Sequence, residues 1–161
     1  SKSLLSLFNE YLKHQKQYVT YKNAKSQTYT CTSGVSQGAN LGPLLFLIYV
    51  NDLPRIFKHS KSLLYADDLK IFTEIQSQND ADSSQEDLES VYKWSERNAL
   101  PINVQKCKTI TFTLKRRPVE KAYHIQGDKL ERISEIRDHW SPVNTKINIY
   151  STHTKESKHK D

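Results

Sequence analysis

A chain of 161 residues can form one domain with a hydrophobic core, and an apolar content of 36% keeps that core modest. The formal net charge of +6 fits general solubility and an acidic partner such as nucleic acid equally well. Two distant cysteines, Cys31 and Cys107, exclude a disulfide framework, and no apolar run is long enough to span a bilayer. We therefore expect reduced cysteines in an intracellular protein, nuclear or cytoplasmic rather than secreted. Because the chain lacks methionine even at position 1, we expect it to be a segment of a longer protein.

The first third of the chain predicts a helix, two strands, a loop and a second helix. Ser3 can cap the first helix, and residues 17–33 favour two strands around a polar turn at 23–26. A loop rich in serine and glycine follows, and the helix that starts at Pro43 is apolar almost all round. We expect that second helix to be buried and to end at Pro54. The apolar face of the first helix comprises Leu4, Phe8, Tyr11 and Leu12.

The middle of the chain predicts a β-hairpin and then a helix. The stretches "SLLYA" and "LKIFTEI" flank Asp67 and Asp68, so they favour two strands joined at the aspartates. Residues 76–85 are polar and indicate a linker. Ser83 and Glu86 have the spacing of a capping box, which predicts that the helix begins there. The residues expected to face the core from this helix are Leu88, Val91 and Tyr92.

The last third predicts strands and then a segment without structure. The stretch "TITFTL" alternates, with the threonines on one face and Ile110, Phe112 and Leu114 on the other. Residues 123–133 favour a second hairpin that turns near Gly127. Beyond these strands the pattern is lost, so we expect residues 139–161 to form a divergent, disordered tail after a domain of residues 1–138.

The adjacent carboxylates Asp67 and Asp68 allow two interpretations. Successive residues of a strand point to opposite faces, so two neighbouring aspartates converge on one site only at a turn. Aspartate is common in turns, and on this motif alone a plain polar hairpin tip is the favoured interpretation. The alternative is a site for a hard cation, because carboxylate oxygens suit magnesium.

Three motifs in order change the balance: "GVSQGANLGPLLFLIYVNDLP" at residues 34–54, "YADD" at 65–68, and "YKWSERNALPINVQKCKTITF" at 92–112. Over residues 4–138 the chain resembles the reverse transcriptase domain of non-LTR retrotransposons of the jockey-like LINE group. The resemblance implies an α+β fold, the polymerase palm, in which helices pack on a small antiparallel sheet. It also implies template-directed transfer of nucleotides, in which a primer 3′-hydroxyl attacks the α-phosphate of a deoxynucleotide.

The resemblance also implies roles for particular residues and partners. Asp67 and Asp68 would bind catalytic Mg²⁺, with two ions expected in the complete domain, and Tyr65 would pack near the primer end. Gln37 and Gly38 would lie against the templating base and the incoming nucleotide, although Gly38 also fits a simple loop glycine. The expected partners are an RNA template, a DNA primer and deoxynucleoside triphosphates, with no membrane and no small-molecule cofactor.

A lysine and a tryptophan of the third motif match the family too. Lys106 matches the family lysine proposed to protonate the leaving pyrophosphate. The alternative interpretation is that Lys106 is a solvated surface lysine. Trp94 is expected to face the hydrophobic core from its helix. The basic run at residues 115–117 is equally consistent with a solvated turn and with a contact to a nucleic-acid backbone.

The chain departs from the family pattern at three places. The family carries a further catalytic aspartate upstream of the loop motif, and this chain begins after that point, so we expect it to be inactive alone. Ser36 stands where the family has proline, and the pattern is lost from His139 onward. Two alternatives therefore stay open: a non-catalytic nucleic-acid-binding remnant of a decayed element, and a translated fragment with no stable fold.

Overall fold

Three α-helices and eleven short strands lie within the part of the chain that the computed structural model describes, namely residues 2–13, 15–32, 34–35, 38–134 and, as backbone, 146–153. They divide into two units, Ser1–Phe46 and Leu47–Asp161, which we treat separately. The α+β class predicted from the sequence is confirmed. No helix among the described residues is long and apolar enough to cross a membrane.

The first unit contains one helix and two pairs of very short strands. Helix α1, Lys2–Leu12, has no buried residue. Strand β1 (Lys16–Gln17) pairs antiparallel with β4 (Tyr29–Thr30), and β2 (Thr20–Tyr21) pairs antiparallel with β3 (Ala24–Lys25). Each of the two predicted strands is therefore divided into two short strands, with the β2–β3 pair enclosed between β1 and β4. The turn lies slightly earlier than predicted, between β2 and β3.

The second helix differs from its prediction in length and burial. Helix α2 spans Gly42–Tyr49, and Pro54 lies beyond it in a separate 3-10 helix, Leu53–Ile56. The expectation of a buried helix was wrong, because Gly42 is its only buried residue. Apolar composition all round predicts burial only where other elements cover every face of the helix. Four large side chains of α2 are exposed: Leu44, Leu47, Ile48 and Tyr49.

A five-stranded sheet organises the second unit. Its strands are β5 (Lys61–Tyr65), β6 (Asp68–Glu74), β7 (Lys108–Thr113), β10 (Glu131–Ile133) and β11 (Lys146–His153), in the order β10-β7-β11-β6-β5. Only β5 and β6 pair antiparallel, and the other three pairings are parallel. The sheet is therefore mixed, whereas the resemblance implied an antiparallel one. A short hairpin, β8 (His124–Ile125) with β9 (Asp128–Lys129), confirms the predicted turn near Gly127.

The long helix of the second unit begins earlier than predicted. Helix α3 spans Gln78–Arg97, and its N-cap is Ser77, which forms a capping box with Asp80. The predicted linker at 76–85 and the predicted cap at Ser83 were therefore wrong. Polar residues lie on both sides of this helix, including the buried Ser84 and Asp87, and they hide its periodicity. The buried side recurs every three or four residues: Ala81, Ser84, Asp87, Leu88, Val91, Trp94 and Ser95.

The core lies between α3 and one face of the sheet. Leu69 and Ile71 of β6 are at most 1% exposed, as is Leu88 of α3. Trp94 is buried as predicted, and its Nε1 has no hydrogen-bond partner among the described residues. The predicted apolar face of β7 is only partly buried: Ile110 is buried, but Phe112 and Leu114 are exposed.

The predicted tail also contains regular structure. Residues 146–153 form β11, which lies between β6 and β7 in the sheet. The remainder of the predicted tail, 139–145 and 154–161, lies outside the described residues. A strand in this position is stabilised by backbone hydrogen bonds to two neighbours, and such long-range pairing leaves little local signature in the sequence.

Candidate active site

Two connecting residues form the tip of the β5–β6 hairpin. Tyr65 and Asp68 are cross-strand partners, so Ala66 and Asp67 make the whole connection. Ala66 has φ +50°, in the left-handed region that residues other than glycine rarely adopt. Asn-Gly or Asp-Gly is the usual choice for such a tight turn. An alanine held there costs roughly 1 kcal/mol, and strain of this kind is typical of functional sites.

The two faces of this hairpin differ in burial. Leu69, Ile71 and Thr73 of β6 are buried against the core, whereas Asp68 and the residues that alternate with them are half-buried. In β5, Leu63 and Tyr65 are 55% and 66% exposed. The hairpin is therefore buried on one face only. Because the other face is open, a ligand in solvent can reach it.

Both aspartates lie at the turn end of this hairpin. Asp67 and Asp68 are half-buried, so the buried face anchors the turn while the carboxyl groups stay near solvent. Asp68 opens β6 and has register neighbours on both sides, Tyr65 in β5 and Lys146 in β11. The predicted tip is confirmed for Asp67, and Asp68 is the first residue of the returning strand.

The sheet brings Lys106 to the same end as the aspartates. Both β6 and β7 run parallel to β11, so they start at one end of the sheet. Lys106 ends a 3-10 helix, Val104–Lys106, that lies just before β7, and it is half-buried. One strand separates β6 from β7, so their backbones lie roughly 10 Å apart. The topology thus juxtaposes a lysine and the carboxylate pair, which lie far apart in sequence.

Gly38 of the loop motif belongs to the first unit. Gly38 has φ +77°, so a side chain at this position would be strained, although a Cβ would meet no atom within 4 Å. Glycine is therefore required here by backbone conformation rather than by space. Gln37 and Ser36 lie outside the described residues. The expectation that Gly38 lies against the templating base and the incoming nucleotide stays a prediction.

The donor chemistry of the hairpin tip fits part of a magnesium site. Carboxylate oxygens are the ligands that Mg²⁺ prefers, and the ion also keeps several waters, for which the half-exposed tip leaves access. Among the described residues, no group of three or more histidine, cysteine, aspartate or glutamate side chains is gathered closely enough to hold a metal ion. The described residues thus gather two carboxyl groups, and no third, at the hairpin tip.

A third aspartate supports the hairpin, and sequence reasoning missed it. Asp87 of α3 is 1% exposed and accepts hydrogen bonds from the backbone N–H groups of Lys58, His59 and Ser60. Its signal was its position on the predicted apolar face, one residue before Leu88. A charged residue at such a position indicates a buried, fully bonded carboxylate.

Comparisons with a protein family and with individual proteins both identify reverse transcriptases as the similar proteins. Residues 3–154 match the family described as "Reverse transcriptase (RNA-dependent DNA polymerase)". The chain is 33% identical over 122 residues to "Probable RNA-directed DNA polymerase from transposon X-element" of Drosophila melanogaster. The aligned region covers 73% of this chain and 13% of the relative. It is 31% identical over 140 residues to "Probable RNA-directed DNA polymerase from transposon BS" of the same species, covering 81% and 16%.

A third relative extends the comparison to another species. The chain is 31% identical over 121 residues to "RNA-directed DNA polymerase from mobile element jockey" of Drosophila funebris, covering 70% of this chain and 13% of the relative. The chain therefore spans only 13–16% of the length of these relatives. No solved structure matches it.

Proposed function

This chain belongs to the reverse transcriptase family, and from that premise we propose that it is the palm segment of an RNA-directed DNA polymerase. The observation that carries the proposal is the hairpin tip, where two half-buried aspartates follow a strained alanine. The positive φ itself is common to the two-residue turns described here, because Lys22 and Gln126 adopt it in the β2–β3 and β8–β9 hairpins. What distinguishes this tip, and supports a cation site, is the pair of adjacent carboxyl groups on a turn that a buried strand face anchors.

Asp67 and Asp68 are the proposed ligands of Mg²⁺. Bound there, magnesium would supply positive charge to the attacking hydroxyl and the phosphates of a nucleotide. The buried side of the hairpin, with Leu69 and Ile71 each at most 1% exposed, keeps the turn from shifting when the charge on it changes. Rigid support of this kind preorganises the carboxyl groups and lowers the cost of binding.

Two further residues of the second unit have proposed roles in substrate binding. Tyr65 is 66% exposed beside Asp68, so its ring is available to pack against the primer end. Lys106 lies before β7, at the same end of the sheet, where its charge would stabilise the leaving pyrophosphate. In the first unit, Gln37 and Gly38 are proposed to lie against the templating base and the incoming nucleotide.

We propose that these 161 residues alone do not extend a primer. Two-metal chemistry places carboxylates on both sides of a pair of ions about 3.5–4 Å apart. The tip supplies two adjacent carboxylates, and the described residues gather no third ligand beside them. The partners proposed for the longer polymerase are an RNA template, a DNA primer and deoxynucleoside triphosphates.

A magnesium titration tests the proposal on the chain itself. Calorimetry would compare the unmodified chain, Asp67→Asn, and Asp128→Asn, which removes one carboxyl group from the exposed first residue of β9. We expect the unmodified chain and Asp128→Asn to bind Mg²⁺ alike and Asp67→Asn to lose the site. Equal binding by all three proteins would refute a metal site at the hairpin tip.

The second candidate function is nucleic-acid binding without catalysis. The formal net charge of +6 and the lack of a third ligand among the described residues favour it. Its signature is binding to a primer-template duplex that weakens steeply with salt and does not respond to Mg²⁺ or to Asp67→Asn. If that pattern is found, this chain is better described as a non-catalytic nucleic-acid-binding remnant of a polymerase.

A further inference from the structure

One buried carboxylate holds the segment that leads into the hairpin. Asp87 is 1% exposed, and its Oδ1 accepts the Lys58 N–H at 2.9 Å. Its Oδ2 accepts the N–H groups of His59 at 3.0 Å and Ser60 at 2.7 Å. Burying a charge is costly unless it is fully hydrogen-bonded, and three short charge-assisted bonds offset that cost.

The bonded segment reaches both strands of the hairpin. Ser60 is the last residue before β5, and its Oγ accepts a hydrogen bond from Thr73 Oγ1 at 2.8 Å. Thr73 belongs to β6 and is 8% exposed. Asp87 is thus connected, through Ser60, to the base of both strands. From Lys61 to Tyr65 the strand extends roughly 13 Å to the tip.

We propose that Asp87 is a positioning residue for the metal-binding tip. Paired strands move together, so the orientation that Asp87 imposes at the base of the hairpin sets where Asp67 and Asp68 lie. This inference rests on the proposed function of the tip. Asparagine at position 87 keeps the size of the side chain, but its NH₂ group meets a backbone N–H, so at least one of the three hydrogen bonds is lost.

The test measures amide hydrogen exchange and Mg²⁺ affinity on the full chain with three variants. Asp87→Asn changes the proposed residue. Glu89→Gln removes one charge from the exposed side of the same helix, and Val91→Ala removes buried volume but no hydrogen bond, since a valine side chain has no polar atom. The first control separates positioning from a charge effect, and the second separates it from general destabilisation.

Asp87→Asn should speed exchange at residues 58–60 and at the tip, 65–68, and weaken Mg²⁺ binding about tenfold. Glu89→Gln and Val91→Ala should leave Mg²⁺ affinity within about twofold, since outer positions matter only when they orient a ligand. Faster exchange at 58–60 with an unchanged tip and unchanged Mg²⁺ affinity would overturn the proposal.

Two outcomes need a separate measurement. If Asp87→Asn does not fold, Thr73→Val replaces it in the test, because this variant breaks only the hydrogen bond to Ser60. Amide exchange at residues 65–68 of Thr73→Val that equals the exchange in the unmodified chain would overturn the proposal. If the unmodified chain binds no Mg²⁺, the proposed function fails. In that case exchange at the tip of Asp87→Asn still decides whether Asp87 positions the hairpin.

Discussion

Both units of this chain carry parts of the family motifs, but the units differ in how they are held together. Among the described residues of the first unit, Gly42 is the only buried one, and large apolar side chains such as Leu5, Val19 and Tyr21 are 60–71% exposed. In the second unit, helix α3 and the sheet bury a continuous apolar core. A motif therefore reports chemistry, and it does not guarantee that its own segment contains the contacts that stabilise it.

The largest expected effect comes from matched leucines in the two units. Leu88 of α3 is 1% exposed and Leu5 of α1 is 71% exposed, and both lie inside helices. Leu88→Ala should lower the free energy of unfolding by about 2–5 kcal/mol, because it loses buried surface and leaves a cavity. Leu5→Ala should change it by less than about 0.5 kcal/mol.

Urea unfolding followed by circular dichroism measures both variants under the same conditions. Helix propensity nearly cancels, since alanine and leucine are both good helix formers. A loss for Leu5→Ala as large as that for Leu88→Ala would break the comparison, because it would mean that α1 packs against a partner in solution.

The next effect concerns two alanines that share a backbone conformation. Ala66 at the hairpin tip and Ala99 just after α3 have φ +50° and +47°. Replacement of either by glycine should raise stability by about 0.5–1 kcal/mol, because glycine adopts this region without strain. Only Ala66→Gly should also weaken Mg²⁺ binding, since it loosens the turn that carries Asp67.

Ala99→Gly is thus the control for strain without function. Thermal unfolding and a Mg²⁺ titration on both variants separate the two properties. An Ala66→Gly protein that is more stable and binds Mg²⁺ as well as the unmodified chain would show that strain at the tip has no role in the site.

A smaller effect tests where α3 begins. Ser77 is the N-cap in the structure, whereas Ser83, the cap predicted from the sequence, lies inside the helix. Ser77→Ala should lower the free energy of unfolding by about 1 kcal/mol, the usual cost of losing a cap. Ser83→Ala should have a smaller effect, measured by the same urea unfolding. The reverse order would place the start of the helix at Ser83.

These residues also indicate how far the sequence predicts the structure. The strands of the β5–β6 hairpin were predicted closely, because alternation and turn chemistry act over a few residues. The start of α3 was missed, since both Ser77 and Ser83 precede an acidic residue by three positions and only the tertiary contacts of Ala81 and Ser84 favour the first. Local patterns do not choose between two equivalent caps.

Long-range features of the site were the hardest to predict. The position of β11 depends on pairing with β6 and β7, and the role of Asp87 depends on backbone groups 27–29 residues away. Both arise from how distant segments meet. The chemistry of "YADD" was predicted from residue types, while the elements that hold it in place required the structure.

The smallest expected effect is the dependence of α3 on pH. Backbone N–H groups of Ser77 and Gln76, and the Ser77 hydroxyl, donate to the Asp80 carboxylate and lower its pKa below the usual 3.8. Because the folded-state pKa is lowered, the stabilisation from Asp80 is present above pH 3.8 and is lost as the pH falls through the lower folded-state value. Asp80 stays partly exposed to solvent, which weakens its interactions, so the effect should be modest.

Urea unfolding of the unmodified chain and of Asp80→Asn, from pH 7 down to pH 3, measures this contribution. The difference in stability between the two proteins should be constant near neutral pH and shrink as the pH falls below 3.8, because a protonated Asp80 carboxyl group no longer accepts all three bonds. Glu89→Gln, which changes an exposed carboxyl group in the middle of the same helix, should show no such convergence. If Asp80→Asn and the unmodified chain differ equally at every pH, the cap acts through shape and hydrogen bonding alone, and the charge of Asp80 adds nothing to the stability of the second unit.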